Sequence, residues 1–193
     1  MKDNTIRSPF FYVGDKYKLM TQLKSLFPDD IDNYIEPFVG GGSSFLNSSG
    51  KKYILNDIDE TVIALHNELG KYANNSEELL EKIYNIIDYY GLSCSFKGKN
   101  VPEELKKKYV KTYYSKYNKE AYLRMRKDYN NNKDNTLLLY ILLIYGFNHM
   151  IRFNSKGDFN LPVGNVDFNK NVYNALINYL DFRKNNEIIF ENT

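Results

Sequence analysis

The sequence predicts an α/β protein, a parallel sheet interrupted by a helical insertion that carries a β-hairpin. Three observations support that class. Short apolar runs at 34–38 and 53–55 end in Gly40-Gly41-Gly42 and in Asn56-Asp57, and helical spacing flanks both, the alternation that opens a parallel sheet. From residue 76 to residue 144 the spacing is helical throughout. A glycine turn at Asn154-Ser155-Lys156-Gly157, apolar on both sides, then reads as a hairpin over 146–164.

Taken in order, residues 16–27 place Leu19, Met20, Leu23, Leu26 and Phe27 at helical spacing, and Pro28 ends the run. The strand at 34–38, the glycine turn and a helix follow. The second strand, 53–55, leads into another helix through Leu69. Leu79, Leu80, Ile83, Ile86 and Ile87 form one apolar stripe, and 137–144 reads as a near-continuously buried helix. A last helix over 173–180 precedes a returning strand at 187–191. The expected organisation is an α/β part over 1–75 and 169–193, with 76–168 inserted between them and the hairpin at 146–164.

Composition excludes several classes. A chain of 193 residues with 42% hydrophobic content can bury one globular core and a small inserted subdomain. No stretch approaches the apolar length that spans a bilayer, and no basic region with an apolar run marks a leader, so a cytoplasmic protein with no membrane partner is expected. The single cysteine, Cys94, cannot form an internal disulfide and stands in no ligand spacing with His66 or His149, so no metal is expected. Net charge is only +2. Its distribution says more: residues 97–133 interleave Lys106, Lys107, Lys108, Lys111, Lys116, Lys119, Arg124, Arg126 and Lys127 with Tyr109, Tyr113, Tyr114, Tyr117 and Tyr122. That pattern suits phosphate contacts with stacking groups nearby, and it equally suits a solvated helical face.

Two strand ends carry the ligand chemistry. Glu36-Pro37-Phe38-Val39-Gly40-Gly41-Gly42 puts a carboxylate at a strand end and glycines in the turn that follows, where the backbone can approach a ligand and the next helix N-terminus offers free N–H groups. Asp57 ends the second strand about twenty residues on, where an acidic side chain can accept both ribose hydroxyls of a nucleoside-bearing cofactor. Alternatively, Asp57 is the N-cap of the helix that follows. A nicotinamide-dependent oxidoreductase would use a similar turn, but nothing else in the sequence offers a hydride-transfer site.

These motifs, in this order, resemble the Dam-type (D12 class, alpha group) DNA adenine-N6 methyltransferases. Tyr12-Val13-Gly14-Asp15-Lys16 is similar to the family's N-terminal aromatic-x-Gly-x-Lys motif, Glu36 to Gly42 to its glycine motif, and Leu55-Asn56-Asp57 to its ribose-binding motif. The resemblance implies a Rossmann-like S-adenosylmethionine (SAM) site formed by Tyr12, Gly14, Lys16, Glu36, Phe38, Gly40, Gly42 and Asp57. The stretch from Gly146 to Gly164 is similar to the DNA-reading hairpin of the phage-type enzymes that methylate adenine within GATC. By that resemblance Arg152 would read a guanine through O6 and N7. Met150 and Pro162 would touch a thymine methyl, Phe147 and Asn148 would lie beside the opened base pair, and Asn154 would also contact DNA. Double-stranded DNA is the implied partner.

One part of the family's chemistry is missing. The N6 lone pair of adenine is delocalised into the ring, so the family holds that nitrogen with a D-P-P-Y motif, which also stacks its aromatic on the flipped-out base. The prolines here stand at 9, 28, 37, 102 and 162, no two adjacent, so there is no D-P-P-Y and the catalytic residues are unknown. The resemblance thus implies an incomplete sheet with an unpaired apolar edge. It leaves three expectations open: a second polypeptide carrying the D-P-P-Y half, a truncated reading frame, or a DNA-binding protein that has lost catalysis.

Overall fold

The computed structural model describes residues 5–193, and Cα packing divides them into two compact units, one of residues up to 76 with 174–193 and one of 77–173. The first unit holds a three-stranded, wholly parallel sheet of order β1-β2-β3, built from β1 (Ile31–Glu36), β2 (Gly50–Asn56) and β3 (Glu187–Glu191). The connection from β2 to β3 runs from Asp57 to Asn186, so the last strand returns beside the second after the whole inserted unit. The expected α/β class with a parallel sheet is what the chain forms.

Register explains which face is covered. Tyr34 pairs with Tyr53 and Tyr53 with Ile188; on the same side, Glu36 is level with Leu55 and Leu55 with Phe190. Tyr53 and Leu55 are buried there among Phe45, Phe182 and His66, with Tyr53 and Phe182 ring centroids 5.4 Å apart. Side chains alternate along a strand. The intervening row, Ile35 level with Ile54 and Ile189, therefore lies on the opposite face, where Ile35 is 64% and Ile189 40% exposed.

Four local expectations for this unit are corrected. Residues 16–27 do not make one helix: α1 (Met20–Leu23) is a single short segment between 3-10 turns at Tyr17–Leu19 and Lys24–Leu26. Only Met20 of these elements is buried, and so short a helix gains little without tertiary burial of its stripe. The expected helix after the glycine turn is one 3-10 turn, Phe45–Asn47, so the glycine loop is not followed by an α-helix N-terminus. The first strand ends at Glu36, leaving Phe38 in the loop. Helix α2 (Glu60–Gly70) begins after Asp59, whose carboxylate accepts from the Thr61 N–H at 2.9 Å; the cap is Asp59 and not Asp57.

The second unit is helical. It comprises α3 (Ser76–Tyr90), α4 (Glu103–Tyr109), α5 (Tyr113–Asn131), α6 (Thr136–Tyr145) and the start of α7 (Lys170–Asn185). Along α3 the buried line is Leu79, Ile83, Ile87 and Tyr90, while Leu80 and Ile86 of the expected stripe are only half-buried. Every residue from Leu137 to Tyr145 is buried, as the unbroken apolar run requires. The buried polar groups are paired. Asn118 accepts from the Ser93 N–H and donates to its hydroxyl, and the Tyr145 hydroxyl donates to the Ser93 carbonyl at 2.6 Å.

Residues 146–164 double back around a turn at 154–157, where the glycine turn is expected, but the pairing is irregular. No continuous strands form; isolated antiparallel bridges join Gly146 to Val163 and Phe153 to Phe159, and Phe147–His149 makes a 3-10 turn. Asn148 and His149 both take positive φ, 53° and 51°, which breaks the ladder at the base of the arm. Side chains of α5 and of the loop after it hold the outer edge of the arm. The Asn130 carboxamide accepts the Phe159 N–H at 2.8 Å and donates to the Phe159 carbonyl at 3.1 Å. Arg126 donates to the Leu161 carbonyl at 3.0 Å, and Lys133 pairs with Asp158 at 2.9 Å.

Candidate functional site

A cleft of about 220 Å³ opens beyond the carboxyl end of β1. It is lined by Tyr12, Gly14, Lys16, Glu36, Phe38, Gly40 and Gly42, among others, so two stretches separated in sequence meet there. Asp57 does not line it directly. Its Oδ2 instead accepts the Gly40 N–H at 2.8 Å and its Oδ1 the Asp59 N–H at 3.0 Å, which fixes the second strand end against the glycine loop.

The loop needs its glycines where the chain is tightest. A Cβ on Gly41 would sit 2.7 Å from the Tyr12 Cβ, and one on Gly42, at φ +83°, would overlap the Phe45 ring. Tyr12 therefore lies directly on the loop backbone, and Phe38 projects beside it 81% exposed. Lys16 turns back to donate to the Gly14 carbonyl at 3.0 Å.

Glu36 supplies the charge. Burial is the main cause that pushes its carboxyl up to about 7; hydrogen bonds from the Phe45 backbone and Tyr34 hydroxyl act against this, and Asp57 adds to it. The Tyr34 hydroxyl, pushed by burial up to about 12, lies 2.5 Å from the Ser44 hydroxyl and 3.4 Å from Glu36 Oε2. A carboxyl poised near neutrality in a cleft is suited to a cationic group, whose arrival favours the ionised form.

The residues expected on the arm are distributed unevenly. Phe147 is 51% exposed, Asn148 and Pro162 are exposed, and Met150 is half-buried. The Phe147 N–H donates to the Pro162 carbonyl at 2.9 Å, so these two do meet. The exposed Arg152 guanidinium donates from Nε to Asn160 Oδ1 at 2.8 Å and from Nη2 to the Asn160 carbonyl at 2.7 Å. Asn154 is a turn builder: its side-chain oxygen accepts from the Lys156 and Asp158 N–H groups, each at 2.9 Å.

Sequence reasoning missed His66, which is wholly buried beneath the glycine loop with Nε2 2.9 Å from the Gly40 carbonyl. Its only trace in the sequence was a histidine on the inner face of a helix.

Fold and cleft together define a parallel α/β protein with a ligand cleft at its strand ends, the position where such sheets bind nucleoside-bearing ligands. The model of the D12 class N6 adenine-specific DNA methyltransferase family matches residues 12–193, and the chain belongs to that family. It is 34% identical over 179 residues to Modification methylase StsI of Streptococcus sanguinis, covering 91% of this chain and 23% of that protein. It is 34% identical over 159 residues to Type II methyltransferase M.FokI of Planomicrobium okeanokoites, covering 82% and 21%. Against the DNA adenine methylase of Escherichia coli (strain K12) it is 29% identical over 171 residues, covering 85% and 49%. The chain thus spans between about a fifth and a half of the length of these relatives.

Among the described residues no helix is long and apolar enough to cross a membrane.

Proposed function

We propose that this chain binds SAM in the glycine-loop cleft and reads double-stranded DNA with the arm at 146–164, as part of a site-specific adenine-N6 methyltransferase of GATC-like specificity. The observation that carries the reading is the convergence of the 12–16 and 36–44 stretches on one cleft, with Asp57 bonded to the same loop. The residues fit the cofactor. Glu36 faces a cation, Tyr12 and Phe38 offer aromatic surface to an adenine, and Asp57 keeps lone pairs for ribose hydroxyls beyond its bonds to Gly40 and Asp59. When bound, SAM supplies the electrophilic methyl group; the protein's part is to hold donor and acceptor in line.

On the arm, Arg152 is the guanine reader in this proposal. Its fork is already oriented by Asn160, so less side-chain freedom is lost on binding. Phe147, Asn148, Met150 and Pro162 are the remaining base-pair contacts, and Asn154 shapes the turn that presents them. Lysines on the same helical unit fit phosphates. Lys107, Lys108, Lys116 and Lys119 are exposed and in no ion pair among the described residues, whereas Lys106 is held by Glu103 at 2.6 Å. Lys119 lies two turns before Arg126 on α5, on the helical line that carries the arm.

Because these 193 residues contain no D-P-P-Y, the element that holds the target amino group comes, in this reading, from a further segment or a second polypeptide. The same absence favours a second reading, a non-catalytic sequence-specific DNA-binding protein. The deciding experiment is transfer of labelled methyl from SAM to a GATC duplex and to a scrambled duplex, with SAM and DNA binding measured in parallel. Binding of both ligands, with GATC-specific transfer only when a D-P-P-Y-bearing partner is added, is the expected result. GATC binding without turnover in any reconstitution would establish the second reading, and no SAM binding would sink the first. Arg152→Ala is expected to cost about 1 to 3 kcal/mol of discrimination at one guanine. Equal losses on both duplexes would remove Arg152 from that role.

A further inference from the structure

Beneath the glycine loop a chain of buried hydrogen bonds ends on the loop backbone. His66 has no exposed surface; Nδ1 lies 2.9 Å from the Tyr179 hydroxyl and Nε2 2.9 Å from the Gly40 carbonyl. A carbonyl can only accept, so the ring proton belongs on Nε2, and Nδ1 then accepts from Tyr179. The Arg183 guanidinium lies 4.7 Å from the centroid of Phe190, the ring that stacks on the imidazole. At the same peptide residue, the Gly40 N–H donates to Asp57 Oδ2 at 2.8 Å. Gly40 is thus gripped through both of its backbone polar groups, one by an acceptor from the end of β2 and one by a donor from α2.

Packing alone does not call for an imidazole here. The ring stacks on Phe190 at 4.5 Å, meets Phe10 edge-on at 4.7 Å and lies 6.0 Å from Phe45. A phenyl ring would satisfy those neighbours equally well. What only histidine adds is a donor aimed at the loop, in a site dry enough that each bond polarises the next.

We propose that His66 is a positioning residue for the cofactor loop: its Nε2–H fixes the Gly40 carbonyl and so sets the loop in its ligand-receiving shape before SAM arrives. The proposal rests on the glycine-loop cleft being the SAM site. His66 touches no ligand; it acts through Gly40, with Tyr179 holding its tautomer.

The test combines affinity with spectroscopy on the full chain. His66→Phe leaves the Gly40 carbonyl and the Tyr179 hydroxyl without this partner. It should lower the unfolding temperature and weaken SAM binding by about tenfold or more, while His66→Gln, whose amide can reach Gly40, should stay within about threefold of the parent. Wild-type affinity in His66→Phe would overturn the proposal. Ring nitrogen signals of 15N-histidine protein should show His66 protonated on Nε2 and bare on Nδ1; His149 is the only other histidine, so His149→Gln completes the assignment. A proton on Nδ1 would overturn it as well. If the parent protein binds no SAM, the cofactor reading fails by itself. The positioning role is then decided by the Gly40 and Gly41 amide signals, which must move in His66→Phe and return in His66→Gln. Should the phenylalanine variant not fold, the tautomer and a comparison of His66→Gln with the shorter His66→Asn decide the question.

Discussion

The glycine loop and the arm at 146–164 are both irregular backbone, yet they are held in opposite ways. The loop is fixed from below by the wholly buried His66 on its carbonyl and by the part-buried Asp57 on its N–H. The arm is held from its side by the half-exposed side chains of Asn130, Arg126 and Lys133, and its tip is solvated. A buried clamp gives one conformation because unpaired alternatives are costly in a dry site. A solvated arm can exchange each bond for water, which leaves it able to adjust to a partner.

The largest difference should appear in acid. Burial is the main cause that pushes His66 down to about 3, assisted by Arg183, whereas an unfolded histidine titrates near 6.5. The unfolded chain therefore binds the extra proton between those values, and acid favours unfolding. The contribution is on the order of 4 kcal/mol, present above pH 6.5 and lost as pH falls toward 3. Glu36 acts oppositely: its folded value, about 7, exceeds the ordinary 4.5, so its contribution is present below pH 4.5 and lost as pH rises to 7. Denaturant melts of the parent and of His66→Gln from pH 7 to 4 should diverge, the parent losing more. Parallel curves would mean that the ring is not held neutral.

Gly42→Ala attacks the loop's other requirement. With φ at +83° and the Phe45 ring in the way, it should cost about 2 to 4 kcal/mol and abolish tight cofactor binding, read by urea denaturation and titration with SAM. The matching cut in the arm, Asn130→Ala, leaves both polar groups of Phe159 without that partner. It should cost about 1 to 3 kcal/mol and speed amide exchange across 152–160. SAM affinity should not change. A change would show that the two regions are coupled, contrary to the comparison.

Cofactor affinity should also climb several-fold from pH 5.5 to 7.5 as Glu36 ionises, and Glu36→Gln should flatten the climb. The smallest effect is expected from Lys107→Gln with Lys108→Gln. They should lower affinity alike for cognate and scrambled duplexes and reduce the salt slope by about one to two. Loss confined to the cognate duplex would reassign those lysines to base reading.

Much of the framework was legible in local pattern. The apolar runs at 34–38 and 53–55 marked two parallel strands, whose ends fall at Glu36 and Asn56, 187–191 marked the third, and the run at 137–144 a buried helix, because side-chain periodicity and burial are written residue by residue. Regularity was overcalled where tertiary contacts, and not local pattern, set the backbone. Residues 16–27 lack a surface to bury their stripe, the glycine turn is followed by a single 3-10 turn, and the arm pairs irregularly with its outer edge held by Asn130. Asp57 shows the limit most clearly: loop bridge and helix cap have the same local signature, and only the position of Gly40 separated them.

The sequence by itself determined the α/β class, the order of the motifs and the residue types that line the cleft, since these depend on period, composition and glycine's conformational freedom. The tertiary structure alone decided that Asp57 and His66 close on one residue of the loop, Gly40. The reason is that His66 stands 26 residues and Tyr179 139 residues beyond Gly40, and no local periodicity encodes a hydrogen bond across such separations.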